Sequence, residues 1–176
     1  YNALNHAASA FDDSNRSFWP VAVSTFLCPS DSRPAYEGGF TNYAGNLGHI
    51  PQAFGYNGAF APYYPPGMVL PPRLVPPGAI SSASFRDGTG QTATVSEFLV
   101  GTMDGKANDP RRTVFETPER LVDPDRFGVF LRECDAVNAA FPVGNNVRGM
   151  VWVTFRPNTT LYNHTLTPNR RSCTNG

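Results

Sequence analysis

Apolar and polar residues along the chain follow no long regular period, and the elements they predict are short. Residues 1–10 place Tyr1, Leu4, Ala7 and Ala8 at helical spacing, which reads as the tail of a helix. In residues 17–31 Val21, Val23 and Thr25 alternate with Ala22 and Ser24 before an apolar Phe26-Leu27-Cys28. That pattern predicts an edge strand or extended segment, ended by a turn at Cys28-Pro29-Ser30-Asp31. Residues 36–48 carry too many Gly and Asn for a long regular element. In residues 85–99 Asp87-Gly88 starts a turn, and a strand follows in which Thr92, Thr94, Ser96 and Phe98 alternate with Ala93, Val95, Glu97 and Leu99. This places Glu97 on the side of Val95 and Leu99, read as the buried side, where a carboxylate needs a partner. Thr117-Pro118-Glu119 is a helix-start signature, and a second helix is expected from about residue 125 to residue 140. Residues 150–155, Met-Val-Trp-Val-Thr-Phe, form the clearest predicted strand.

Between these elements lies the most biased stretch, residues 53–78, with Pro65-Pro66, Pro71-Pro72 and Pro76-Pro77 among aromatic and aliphatic side chains. Proline pairs favour extended backbone and remove donors. The arm therefore reads as a long loop wrapping its own domain, with Phe54, Tyr56, Phe60, Tyr63 and Tyr64 able to reach a neighbouring subunit or a ligand. No internal repeat and no second core is visible. The expectation is one globular domain over residues 1–176 of α+β, β-rich class, with few helices, an antiparallel sheet and long Pro/Gly/Asn-rich loops.

Composition sharpens this picture. Of 176 residues, 33 are Gly or Pro, and only 16% are charged, against roughly 25% in typical soluble domains. With 40% hydrophobic and 12% aromatic residues the chain has the apolar content of an ordered protein. The 14 basic and 14 acidic residues cancel, which argues against a nucleic-acid binder working through a bulk positive field. Thirteen of the basic residues are Arg and one is Lys106. No apolar run approaches the roughly 18–20 residues of a membrane span. The opening YNALNHAASAF, without Met, reads as that of a mature or excised fragment.

Candidate chemistry is sparse. Cys28, Cys134 and Cys173 have no metal-ligand spacing, so disulfide bonding in an oxidising compartment is the first reading. A Cys134–Cys173 bond, the pairing favoured here, would close a loop worth roughly 4 kcal/mol in the chain-entropy model. Cys28 is then either a buried thiol or bonded to a partner outside the chain. His6, His49 and His164 lie far apart in sequence, and no nucleophile elbow, phosphate loop or zincin helix is present. Calcium in one of the short acidic turns is the one cofactor reading left open. Asp87 and Glu97 are the acids best placed for burial, and a structural role suits them better than a catalytic pair. Asn-x-Ser/Thr occurs at Asn15, Asn158 and Asn163. Tyr43, Tyr63, Tyr64, Trp152 and Tyr162, with Asn46, would supply stacking faces and amide hydrogen bonds to a polysaccharide or other extracellular solute.

Five segments occur in an order that carries a resemblance: YNALN at 1–5, FLCPSD at 26–31, TNYAGNLG at 41–48, FRDGTGQTATVSE at 85–97 and TLYNHTLTPNRRSC at 160–173. The chain resembles the large planctomycete-type family of prepilin-like proteins of unknown function, across nearly its whole length. Two features depart from that family: Gly90-Gln91-Thr92 stands where Ser-Asn-Thr is usual, and the proline arm is unusually rich. Members are expected to begin with a type IV prepilin-like apolar helix and to end with a His-x9-Asp-Gly segment, so the resemblance covers the central globular part. It implies a pilin- or pseudopilin-like domain, export, an extracytoplasmic location and partners that are proteins or further copies. It implies membrane contact only through the missing N-terminal helix, and it carries over no established catalytic residue. It also implies that a Cys on that helix could partner Cys28. The functions to weigh are a structural or interaction protein of a surface, filament or envelope assembly, a saccharide- or solute-binding module, and a carboxylate-dependent hydrolase.

Overall fold

The computed structural model describes residues 4–5, 7–32, 37–49, 58–60, 80–86, 88–103, 109–118, 127–137, 146–156 and 159–174. Among these the chain forms a small mixed α/β fold. Five strands, β1 (Tyr43–Asn46), β2 (Val95–Glu97), β3 (Val114–Glu116), β4 (Leu161–Tyr162) and β5 (Ser172–Thr174), join one helix, α1 (Phe127–Ala136). The first sheet has the order β2-β1-β4, antiparallel between β1 and β2 and parallel between β1 and β4; the second pairs β3 with β5 in parallel. The expected antiparallel sheet is thus a mixed one. Parallel pairs join segments distant in sequence, which a pattern of local turns does not reveal.

The central strand lies in the Gly/Asn-rich stretch where no long element is expected, and it is only four residues long. Ala44 and Asn46 face inward. Gly45 lets the Phe60 ring approach the strand closely, because a Cβ there would sit 2.7 Å from the ring. Phe60 packs on Leu47 and Leu161, both buried, and its N–H donates to the Asn46 carbonyl at 3.0 Å. Residues 58–60 are the part of the proline arm that is described, and they dock on the arm's own domain. Tyr63, Tyr64 and the proline pairs lie outside the described residues.

Strand β2 corrects the predicted phase. Thr94, Ser96 and Phe98 are the half-buried side, while Val95 and Glu97 are exposed. Register decides this: Ser96 stands opposite buried Ala44, and Asn46 clamps the strand by donating from its N–H to the Thr94 carbonyl at 2.9 Å and from Nδ2 to the Ala93 carbonyl at 2.7 Å. A slip of one residue turns every side chain to the other face. Asp87, the other acid expected to be buried, lies outside the described residues.

Residues 150–155 are not a strand. Val151 and Thr154 are buried three residues apart, and the Thr154 N–H and hydroxyl both donate to the Val151 carbonyl, at 3.1 and 2.8 Å. The period is that of a turn, which an apolar run does not distinguish from a strand. The turn is entered through Gly149, at φ +70°, where a Cβ would meet the Thr41 carbonyl oxygen at 2.3 Å. The predicted edge strand near residue 21 instead contains a 3-10 turn at Ser24–Phe26, whose Phe26 carbonyl accepts from the Asn42 N–H at 2.8 Å. Of the expected helical tail, the described residues 4–5 and 7–10 form turns leading into a 3-10 helix, Asp13–Phe18, capped by the Asp12 carboxylate on the Ser14 N–H. Asn15, buried, gathers those turns: its Oδ1 accepts from the Asn5 N–H, and its Nδ2 donates to the Asn5 and Ser9 carbonyls. Short polar side chains compete here with the helix for the same backbone groups.

Helix α1 falls within the predicted second helix and buries Phe130 and Cys134, one turn apart. The first predicted helix lies mostly outside the described residues. A Cys134–Cys173 disulfide, with Cα atoms 5.8 Å apart, fastens α1 to β5, and Cys28 is a half-buried free thiol.

Candidate functional site

The turn at Cys28–Asp31 closes with the Asp31 N–H donating to the Cys28 carbonyl at 3.1 Å, and it aims the Asp31 side chain inward. That carboxylate is 1% exposed. Oδ2 accepts from Asn42 Nδ2 at 2.7 Å and from the Val100 N–H at 2.9 Å, and Oδ1 is paired with Arg112. Burial opposes ionisation, but the Arg112 guanidinium, the Val100 N–H and the Asn42 amide together outweigh it and hold the carboxyl below its ordinary value. Arg112 also donates to the Val100 carbonyl at 2.9 Å and to Ser32 Oγ at 3.1 Å. Asn42 uses both ends of its amide: Oδ1 accepts from the Cys28 N–H, and Nδ2 donates to the Phe98 carbonyl as well as to Asp31. One buried carboxylate thus joins the Cys28 turn, the entry to β1, the exit of β2 and the entry to β3.

Arg148 is the second polar centre and bolts the two sheets together. Nε donates to the Leu99 carbonyl at 3.0 Å, Nη1 to Ser172 Oγ at 2.7 Å, and Nη2 to the Arg111 carbonyl. The residue is 9% exposed, and its guanidinium lies over the Phe98 ring at 5.6 Å. Burial, reinforced by the nearby Arg112 charge, pushes Arg148 down to about 10, partly offset by Asp109 and Asp31; it is still a cation at neutral pH. All three of these hydrogen bonds go to neutral acceptors. Arg148 lies on the wall of a cavity of about 340 Å³ between the two sheets, which Tyr162, Asn163, His164 and Arg171 also line. The Tyr162 and His164 rings are tilted and 6.1 Å apart. Burial raises the Tyr162 hydroxyl above its ordinary value, against a smaller opposing effect of the Ser96 hydrogen bond.

The structure separates the residues marked as ligand candidates. Tyr162 lines the cavity. Asn46 is buried, with Nδ2 donating to the Ala93 carbonyl and Oδ1 accepting from the Gly48 N–H at 2.7 Å, so its amide serves the fold. Tyr43 is exposed on β1. Trp152 lies away from the cavity lining, its Nε1 donating to the Val21 carbonyl at 2.8 Å and its ring 5.7 Å from that of Phe26. The residues that sequence reasoning missed are Asp31, Asn42, Arg112 and Arg148. Asp31 and Asn42 sit inside the FLCPSD and TNYAGN segments, where a polar side chain adjoining an apolar run is the signal. Arg148 carries the same signal just before the apolar run at 150–155.

Among the described residues no group of three or more His, Cys, Asp or Glu comes together, and no helix is long and apolar enough to cross a membrane. No family model, curated protein or solved structure matches the chain.

Proposed function

We propose that the chain is an exported, pilin-like structural or interaction module, built to take a place in a surface, filament or envelope-associated assembly. The observation that carries this reading is how the motif segments use their polar groups. Asp31, Asn42 and Asn46 direct their side-chain hydrogen bonds to backbone or side chains of other segments of the same chain, and so serve as fasteners. The Cys134–Cys173 bond fits a compartment that oxidises thiols. A further support is a set of exposed apolar side chains. Phe11, Val21, Phe26 and Phe155 are each more than a third exposed. Ring contacts link them in part, Phe11 to Trp19 at 5.4 Å and Phe26 to Trp152 at 5.7 Å. Exposed apolar clusters on ordered domains mark contact surfaces.

Sedimentation velocity and negative-stain microscopy of the disulfide-intact chain over a concentration series test the reading. Reversible assembly that Val21→Asp with Phe155→Asp abolishes, at unchanged melting temperature, is the expected result. A chain that stays monomeric at all concentrations and binds no envelope fraction of the producing cell rules the reading out.

A further inference from the structure

The inter-sheet cavity contains features that the assembly reading does not use. Its volume, about 340 Å³, is that of a site for a ligand of one or two sugar rings and far exceeds a single inorganic anion. Its wall holds a guanidinium that is nine-tenths buried and immobilised by three hydrogen bonds to neutral acceptors, so Arg148 brings a desolvated positive charge to the lining with no carboxylate in those bonds. Arg171 is a second arginine of the lining. Arg171 is stacked 5.8 Å over Phe115 and belongs to none of the ion pairs among the described residues. Arg170, also on the lining, is already paired with Asp135.

Planar guanidinium forks match carboxylates, and a preorganised fork binds them at low entropic cost. Beside the two arginines the wall offers the Tyr162 ring as an apolar face and Asn163 and His164 as hydrogen-bonding groups. A carboxylate next to a ring bearing hydroxyls meets all of these at once. We propose that this cavity binds an acidic saccharide, with its carboxylate on Arg148 and Arg171 and its ring against Tyr162. Glu97 also reaches the lining from the exposed side of β2, and it disfavours a second negative charge at the mouth. The preference is therefore for one carboxylate in the site and not for a dianion such as sulfate.

The test is calorimetric or saturation-transfer titration of the disulfide-intact full chain with galacturonate, its methyl ester and sulfate. Galacturonate is expected to bind saturably, the neutral ester at least about tenfold more weakly, and sulfate not to compete at equal concentration. Arg171 is exposed but stacks on buried Phe115, so its variant is compared at matched melting temperature; Arg171→Gln should weaken galacturonate about tenfold. Glu97→Gln should tighten it about threefold, a gain that a general loss of structure cannot produce. Absence of saturable binding below about 10 mM overturns the proposal, as do equal affinity for the ester, equal competition by sulfate, or an Arg171→Gln variant that binds as well as the parent. The proposal stands apart from the assembly reading: a strictly monomeric chain can bind the sugar, and an assembling chain can fail to.

Discussion

Replacing Asp31 by Ala tests whether one buried carboxylate joins the loops of this fold. The change removes both oxygens and leaves three donors facing a void: Asn42 Nδ2, the Val100 N–H and the Arg112 guanidinium, whose side chain is 14% exposed. Removing one partner of a buried ion pair costs about 3–5 kcal/mol, because the remaining charge is left desolvated. Each buried donor left without an acceptor adds about 1–3 kcal/mol before relaxation and water entry reduce the sum. A net loss of about 4 kcal/mol is expected, which lowers the melting temperature of a chain this size by about 8–16 °C. Asp31→Asn should recover little, since both oxygens already accept and one would become an NH₂ directed at a donor. A double-mutant cycle with Arg112→Met isolates the pair and should give a coupling above about 1.5 kcal/mol. The pH dependence supplies an independent sign. The folded carboxyl lies below its ordinary 3.8, so its stabilisation is complete above that value and is lost as pH falls through the lower, folded one. The parent should therefore lose stability on acidification below about pH 4 by more than Asp31→Asn does. Thermal and urea denaturation at pH 7 and across pH 3–5, without reductant, measure all of this. A melting-temperature drop under about 3 °C for Asp31→Ala, or a coupling below about 0.5 kcal/mol, would refute the reasoning.

Other outcomes follow from the same contacts. Gly149→Ala should cost about 2–4 kcal/mol in a urea titration, because the residue sits at φ +70° and the new methyl meets the Thr41 carbonyl at 2.3 Å; a neutral effect would mean the 147–150 turn is not held as described. Glu97→Gln and Glu97→Ala should both lie within about 0.5 kcal/mol of the parent, since the side chain is exposed; a large penalty for Ala alone would return Glu97 to the interior. Non-reducing peptide mapping should recover Cys134 joined to Cys173 with Cys28 alkylatable after denaturation, and reduction should cost roughly 4 kcal/mol of stability; a bond from Cys28 to either of the others would contradict the fold around α1 and β5. Phe60→Ala should cost about 2–4 kcal/mol by emptying the space over Gly45, Leu47 and Leu161, read from the shift in denaturation midpoint.

Local chemistry alone determined the parts of this protein that depend on near neighbours in sequence. The scarcity of long elements follows from the dispersed Gly, Pro and Asn, and α1 was legible because its apolar residues recur at helical spacing. The Cys134–Cys173 bond is one of the three pairings open to three cysteines and agrees with the pairing read from the sequence. Tertiary contacts decided the rest. Which face of β2 is buried depends on Asn46 clamping Ala93 and Thr94 from another strand, and period-two alternation is the same whichever face is inside. Residues 150–155 have the composition of a strand, yet Trp152 is drawn to Gly39 and Val21 and the chain turns at Gly149. Of the site, Tyr162 was visible in advance, whereas Asp31 and Arg148 acquire their roles from partners 69 and 49 residues away. A buried charge is tolerated only where distant backbone groups converge on it, and that convergence is a property of the folded chain.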